Sequence, residues 1–495
     1  MQHDDDERPI TRRGADYSLH FVLLATAAFF LARIPVLPHR LFDPDEFQHS
    51  HAAWCVWKGM LPYKDFFEHH TPWYYYTLRP FFHGFDVAAS FESARHFLLF
   101  GRGLSLVLTI LTVLLVIRLG RLCEDRKVGV LAGLLLVSQP VFFHKTVEIR
   151  PDVLALPFFV GGLCFLLRGL AASRDPVTRS LRWFSAAGLC LGAAIMCTQK
   201  MLFVLPGTFT GLGVWSLFAG EKLRLRSRIL PPLALLVGIA VPATLTWGAF
   251  ALHHAGDEFI ANNFLLNSKW TRAVGEQLLR VLETSWPVLV LCLLGGTVSL
   301  YRFFRCQPRQ YGGFVLSCTL VGLIAGILVV PVAHRQYYLM LFPMVCVFAA
   351  KGLFFLIERA REQARAWLLV LATLPLAVLP VLDLREAFSL RNDAQLTRLR
   401  HVFESTKPSD VVMDGWEGTG VFRPHAFYYF FLHDESVAML SQERVDEFLD
   451  ALESGKVRPR LIAMDDHLVA LGSRFLRFVR ANYVSSDGFF YFSKG

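Results

Sequence analysis

Between Leu19 and Leu382 the chain returns repeatedly to apolar runs long enough to cross about 30 Å of hydrocarbon, and this recurrence limits its folding options more than any other feature. We read about eleven spans, at 19–38, 96–118, 128–147, 152–168, 184–199, 201–218, 230–252, 286–301, 312–331, 337–357 and 366–382. Backbone groups in lipid must bond within their own segment, so the expected bulk is an α-helical polytopic membrane protein. With 54% hydrophobic and 18% charged residues, the chain is too apolar for an ordinary soluble globule. Its net charge of +9 does not point to nucleic acid, because the arginines cluster in short loops between apolar runs.

Those clusters set an orientation. Arg12 and Arg13, then Arg118, Arg121, Arg126 and Lys127, then Arg168, Arg174, Arg179 and Arg182 fall at alternate junctions. Lys222, Arg224, Arg226 and Arg228, then Arg302, Arg305 and Arg309, then Arg359, Arg361 and Arg365 continue the series. All lie on one side of an eleven-span chain. By the positive-inside rule that side is cytoplasmic, and the charged tail "MQHDDDERPITRRGADYS" precedes an uncleaved anchor. The loop at about 39–95 and everything after the last span then lie outside the cytoplasm. The absence of any Asn-x-Ser/Thr sequence points to a bacterial inner membrane.

We divide the chain into a membrane unit at 1–384 and a small α/β domain at 385–495. In the second, "DVVMDG" and "PRLIAMDD" read as short buried strands. "SQERVDEFLDALESG" reads as a helix with a glycine stop, and "GFFYFSKG" as a closing strand. The nine cysteines sit almost entirely in or beside apolar runs, and no Cys-x-x-Cys occurs. That spacing argues against a disulfide framework or a thiolate metal site.

The stretch "LFDPDEFQHSHAAWCVWKGMLPYKDFFEHHTPWYYY" crowds Asp43, Asp45, Glu46, Asp65 and Glu68 with His49, His51, His69 and His70 between two apolar segments. From Glu46, the residues Phe47, Trp54, Trp57 and Leu61 share one helical face, which predicts a helix lying at the membrane interface, stopped by Gly59 and Pro62. Carboxylates would then be held at headgroup depth; a solvated amphipathic loop with incidental acids is the plainer alternative. Further charges meet the same external face. They are Lys145, Glu148, Arg150 and Asp152 in "HKTVEIRPDVLALPF", Lys200 in "QKMLF", and His334 and Arg335 in "AHRQYYLMLFP". Each alone suits an interfacial anchor. Jointly they collect bases and cations on one face, which anchoring does not require.

Asp45-Glu46, Gly59 and "FFEHHTPWYYY" resemble the first periplasmic loop of the GT-C glycosyltransferases, in the protein O-mannosyltransferase-like and lipid A aminoarabinose transferase-like branch. Arg102-x-x-Ser105, "EIRPDVLALPF", Gln199-Lys200 and "RQYYLMLFP" follow in the order of that family's landmarks. The resemblance covers residues 19–382. It departs at His69, where the family carries lysine.

The resemblance implies the GT-C fold and a glycosyltransferase. Such an enzyme moves a sugar from a polyprenyl-phosphate donor to a hydroxyl of a glycolipid, glycan or protein, outside the cytoplasm and with inversion. A phosphate leaving group needs cations and a hydroxyl nucleophile needs a base. Asp45 is therefore expected as the base, with Glu46 second and Asp152 beside them. Lys200 and Arg335 are expected at the donor phosphate, with Arg102 and His334. Glu68 and His69 are expected at the sugar, acceptor or a cation. A divalent metal ion held by Asp45, Glu68, His69 and Asp152 is compatible with these residue types, though no spacing demands one. The rival reading is a transporter of lipid-linked sugars, but its binding groups would sit near the bilayer midplane on repeated halves.

Overall fold

Apolar segments that close their backbone bonds internally build a core by lying side by side as helices. The computed structural model describes residues 20, 22–172, 177–218, 225–266, 276–305, 310–330, 333–485 and 487–494. The N-terminal tail with Arg12 and Arg13, and the loop cations Arg174, Lys222, Arg224 and Arg309, lie outside the described residues. Helices fall in each stretch read as a span. Among the described residues, 7 are long and apolar enough to cross a membrane: Phe91–Cys123, Pro151–Ala171, Thr178–Cys197, Gln199–Phe218, Leu225–Leu252, Gln277–Arg305 and Tyr311–Val329. Val22–Val36 is shorter. The stretch at 128–147 is divided into Arg126–Val137 and Pro140–Lys145, because Pro140 has no N–H to continue the helix. Phe342–Arg359 and Glu362–Ser389 complete the series.

Leu225–Leu252 packs along Val177–Cys197, and Val177–Cys197 along Pro151–Ala171. Tyr311–Val329 pairs with Val204–Phe218, and Glu276–Arg305 with Phe342–Arg359. These last two pairs approach too closely for side chains. A Cβ on Gly207 would lie 2.0 Å from the Cys318 oxygen, and one on Gly295 would lie 1.9 Å from the Phe348 oxygen. Glycine at the crossing allows that approach. At one end of the bundle Glu124 pairs with Arg302 and, at 2.8 Å, with Lys351. The cation-rich junctions at 118–127 and 302–305 therefore meet at the same end. The opposite end carries the acid-rich loop.

Beyond the bundle, four strands form one sheet: β1 (Val412–Asp414), β2 (Leu461–Ala463), β3 (Tyr483–Val484) and β4 (Phe490–Ser493). Their order is β1-β2-β4-β3, with β1 parallel to β2 and the other pairs antiparallel. β1, β2 and β4 fall where the sequence predicts strands. Helix Gln442–Glu453 buries Val445, Phe448, Leu449 and Leu452 against Met413 and Ile462. It stops before Gly455, whose φ of +72° suits glycine.

The predicted interfacial helix exists as Pro44–Trp57, but its setting differs. Every residue from Glu46 to Val56 is buried, polar and apolar alike. The reason is the C-terminal region, which lies over it. A Cβ on Gly418 would come within 2.3 Å of the Phe47 ring. His51 Nδ1 donates to the Val421 oxygen at 2.7 Å, and Phe67 N to the Tyr428 oxygen at 2.8 Å. The helix is a filling between bundle and sheet, not a float on the bilayer. Its stop is as expected, with Gly59 at φ +90°.

Candidate active site

The tetrapeptide Asp43-Pro44-Asp45-Glu46 is a helix start. Asp43 is the N-cap, its Oδ1 accepting from Asp45 N at 3.1 Å. Glu46 Oε1 accepts from Asp43 N at 3.0 Å, and Pro44 takes a position where no N–H is needed. This geometry sends successive carboxylates in different directions.

Glu46 turns inward. Its oxygens accept from Arg102 Nε at 2.9 Å and Nη2 at 2.7 Å, and from Ile149 N at 3.1 Å. The remaining Arg102 donors go to the carbonyls of Leu37 (2.6 Å), Arg40 (2.9 Å) and Leu41 (3.0 Å), while Phe42 stacks on its guanidinium. Both side chains have zero exposure. Their faces are spent on protein.

Asp45 turns outward, and its side chain keeps 19% of its surface. It accepts from Arg150 Nη2, which also reaches Asp43 Oδ1 at 3.2 Å, while Arg150 Nε holds Glu148. Lys145 Nζ closes the ring, donating to Asp43 Oδ2 at 2.7 Å and to both Glu148 oxygens at 3.1 Å. Arg40 adds a bond to Glu148 at 3.0 Å. "EIRPD" supplies this geometry: Pro151 starts the membrane helix, so Arg150 is left extended as its N-cap, beside the loop.

The two half-buried acids then separate electrostatically. Burial pushes the Asp45 carboxyl above the usual carboxylate range, with Arg150 opposing and Asp43 adding to the rise. Burial also acts on Asp43, but Arg150 and Lys145 overcome it and hold that carboxyl below the usual range. Neighbouring acids driven apart in this way divide into a fixed charge and a proton acceptor.

Asp152 and Lys200 form the next pair, with Nζ to Oδ1 at 3.3 Å and the ammonium 4.1 Å from the Tyr337 ring centroid. The fields of Arg150 and Asp45 reach Lys200. Glu68 Oε1 accepts from His69 N (2.8 Å), His70 N (3.1 Å) and His70 Nδ1 (2.9 Å). The His69 ring packs on His70, with centroids 4.0 Å apart, and faces His433 at 5.5 Å. Burial, then the neighbouring His70, lowers the pKa of His69 well below the ordinary imidazole value, with Glu68 opposing. His334 pairs with Glu435 at 3.1 Å, and Glu435 with His433 at 2.8 Å. Arg335 stands on the far flank, in the field of Glu386, Asp383 and Glu148.

Asp45 is thus bonded to Arg150 and Asp152 to Lys200, with Arg150 and Lys200 in each other's electrostatic field; Arg335 feels Glu386 and Asp383 first and Glu148 after them. Sequence reasoning left out Asp43, His433 and Glu435 as site residues and read Arg150 only as a boundary charge. The Asp-Pro start and the Arg-Pro-Asp turn carried the signal for Asp43 and Arg150. The C-terminal pair carried none. The proposed metal set does not converge: among the described residues, Glu68 groups with His49 and His70, whereas Asp45, His69 and Asp152 join no three-ligand cluster. Asp45 is instead neutralised by a guanidinium.

Residues 95–247 match a family described as dolichyl-phosphate-mannose-protein mannosyltransferase. The fold resembles ArnT from Cupriavidus metallidurans, solved bound to undecaprenyl phosphate, with a TM-score of 0.63, 13% identity, and 95% of this chain and 97% of that one covered. It also resembles the oligosaccharyltransferase AglB from Archaeoglobus fulgidus, solved with an inhibitory peptide and a dolichol-phosphate. There the TM-score is 0.59 at 11% identity, covering 97% of this chain and 75% of that one. No curated protein matches the chain.

Proposed function

We propose that this chain, which has the GT-C fold, is a glycosyltransferase that takes a sugar from a polyprenyl-phosphate donor and places it on a hydroxyl acceptor. The observation that carries the reading is Asp45: a partly exposed carboxyl, made more basic by burial, set in a cation-lined site at the bundle end. The carriers in the solved relatives, undecaprenyl phosphate in ArnT and dolichol-phosphate in AglB, support the donor class.

In this reading the acceptor hydroxyl gives its proton to Asp45 as its oxygen attacks the anomeric carbon. The bond from that carbon to the phosphate oxygen breaks, and polyprenyl phosphate leaves with the electron pair. Attack opposite the leaving group inverts the configuration. Lys200 and Arg335 receive the developing phosphate charge, with His334 at the rim. Asp152 holds Lys200 in place, and Arg150 sets the position and basicity of Asp45. Glu68 and His69 border the sugar and acceptor. Glu46 and Arg102 position the loop and do not touch substrate.

The site lies on the periplasmic face of a bacterial inner membrane, with the N-terminus cytoplasmic. Residues 1–384 form the catalytic membrane unit, and residues 385–495 a periplasmic domain covering the first loop. The alternating cation-rich junctions support this orientation.

The test incubates the purified chain with a panel of polyprenyl-phosphate sugars and candidate acceptors. Acceptor-dependent release of polyprenyl phosphate, with an inverted anomeric centre by NMR, is expected. Movement of intact donor across vesicles, with no release from any donor, would favour the transporter instead.

A further inference from the structure

A second chemical cluster lies on the other side of helix Pro44–Trp57, away from the acids. His51 and Cys55 stand one helical turn apart on a single face, and the C-terminal region brings His425 against both. His51 Nε2 is 2.8 Å from His425 Nδ1, and Cys55 Sγ is 3.8 Å from the same nitrogen. One ligand atom from each residue falls within 4.8 Å of the others.

The tautomer of His51 is fixed. Its Nδ1 faces the Val421 carbonyl at 2.7 Å, and a carbonyl only accepts, so Nδ1 carries the proton and Nε2 presents a lone pair to Cys55 and His425. A ring N–H held by a backbone carbonyl is the support that metal-ligating histidines use. Beside the cluster is a cavity of about 40 Å³, lined by His51, His425, Gln48, Asp414 and Phe430 among others. A water needs about 10–15 Å³ of such volume. Gln48 is 4% exposed, and its Nε2 is buried without a hydrogen-bond partner in that wall.

We propose that His51, Cys55 and His425 form a binding site for a zinc-class divalent ion, which clamps the C-terminal region onto the first-loop helix, with a fourth position opening to the water-sized cavity at Gln48. Tetrahedral zinc with bonds of about 2.0–2.1 Å to nitrogen and 2.3 Å to sulfur places its nitrogens about 3.3 Å apart and nitrogen from sulfur about 3.5 Å. The sulfur already stands near that spacing from His425, at 3.8 Å, and the imidazoles need to part by about 0.5 Å. His425 lies outside regular helix or strand, paired to β1 by one isolated bridge at Val412, so it can make that adjustment. On binding, the His425 proton moves to Nε2, which frees Nδ1 to ligate. The Cys55 thiol gives its proton to solvent, so each ion bound as the thiolate complex releases one proton. The clamp does not depend on the sugar-transfer reading, because none of its ligands belongs to the acid network.

The test loads the purified full chain with Zn²⁺, and separately with Co²⁺, beside Cys55→Ala and His425→Gln. Expected are about one tightly held ion per chain, a thiolate-to-cobalt absorption band, buffer-dependent calorimetry showing one proton released, and a Zn²⁺-dependent rise in melting temperature. Both variants should lose the band and the rise while melting cooperatively without metal. A folded wild-type chain with no binding at micromolar Zn²⁺ would overturn the site. So would undiminished stoichiometry and an unchanged cobalt spectrum in Cys55→Ala, which would assign the ion to another cluster such as His49, Glu68 and His70. If the variants fail to fold, a wild-type Co²⁺ spectrum lacking the thiolate band refutes it.

Discussion

Asp45 and Glu46 are neighbours on one helical turn, each facing an arginine, yet the two pairs are built for opposite ends. Glu46–Arg102 is sealed: three carbonyls, a backbone N–H and an aromatic face complete it, and neither side chain sees solvent. Asp45–Arg150 is shared: the guanidinium also serves Asp43 and Glu148, and Asp45 keeps an open face. The same ion-pair chemistry becomes a rivet where its hydrogen-bonding capacity is exhausted, and a tunable site where it is not.

The largest expected effect breaks the open pair. Asp45→Asn should slow sugar transfer by about 10²–10⁴-fold, the usual contribution of a positioned base. Arg150 would still be held by Asp43 and Glu148, so folding and donor affinity should change little. Single-turnover transfer alongside donor binding makes the comparison, and full activity in this variant would remove Asp45 from the mechanism.

Breaking the sealed pair should show as stability instead. Arg102→Met leaves the Glu46 carboxylate buried without its cation, at a cost of about 3–5 kcal/mol. The double variant Glu46→Met with Arg102→Met should recover much of that loss, although it leaves three carbonyls short of a donor. Thermal melts of the detergent-purified chains measure both. An unchanged melt for Arg102→Met would show that the pair is not a rivet.

Lys200→Gln probes the link between network and donor. If Lys200 meets the leaving phosphate, losing one charge-assisted hydrogen bond of about 1.5–3 kcal/mol weakens donor capture roughly 10- to 100-fold. An unaltered donor affinity with a slower turnover would move Lys200 from binding to transition-state stabilisation; no change in either would take it out of the site.

These contrasts mark what a sequence discloses. β1, β2, β4 and helix Gln442–Glu453 were legible because strand alternation and a glycine stop are local signals. The bundle was legible because lipid imposes length and internal bonding on each span. Arg102 read as a substrate contact because nothing in the string announces that the carbonyls of Leu37, Arg40 and Leu41 absorb its donors. Helix Pro44–Trp57 read as interfacial because its cover arrives from residues 418–433. His425, 370 positions from Cys55, is invisible to any spacing rule applied to cysteines. Local rules find elements, but saturation and burial depend on what the rest of the chain brings.

The smallest effect comes from a third carboxylate, which extends the comparison to an acid bonded to neutral donors. Asp414 accepts from Gly420 N at 2.7 Å, Thr419 Oγ1 at 3.0 Å and Gly418 N at 3.4 Å. These bonds oppose its burial only in part, and the carboxyl is pushed up to about 6. The folded chain therefore binds a proton between the ordinary aspartate range and about pH 6 that the unfolded chain has released. The contribution of Asp414 to stability is fully present below about pH 4 and is lost as pH rises through about 6. Asp414→Asn should flatten the melting profile across that window and leave Asp45-dependent transfer unchanged. A slope that persists in the variant would place the titrating group elsewhere. A slope that vanishes would identify Asp414, whose bonds come from neutral donors, as the group that titrates across that window, in contrast to Asp43, which Arg150 and Lys145 hold below the usual carboxylate range.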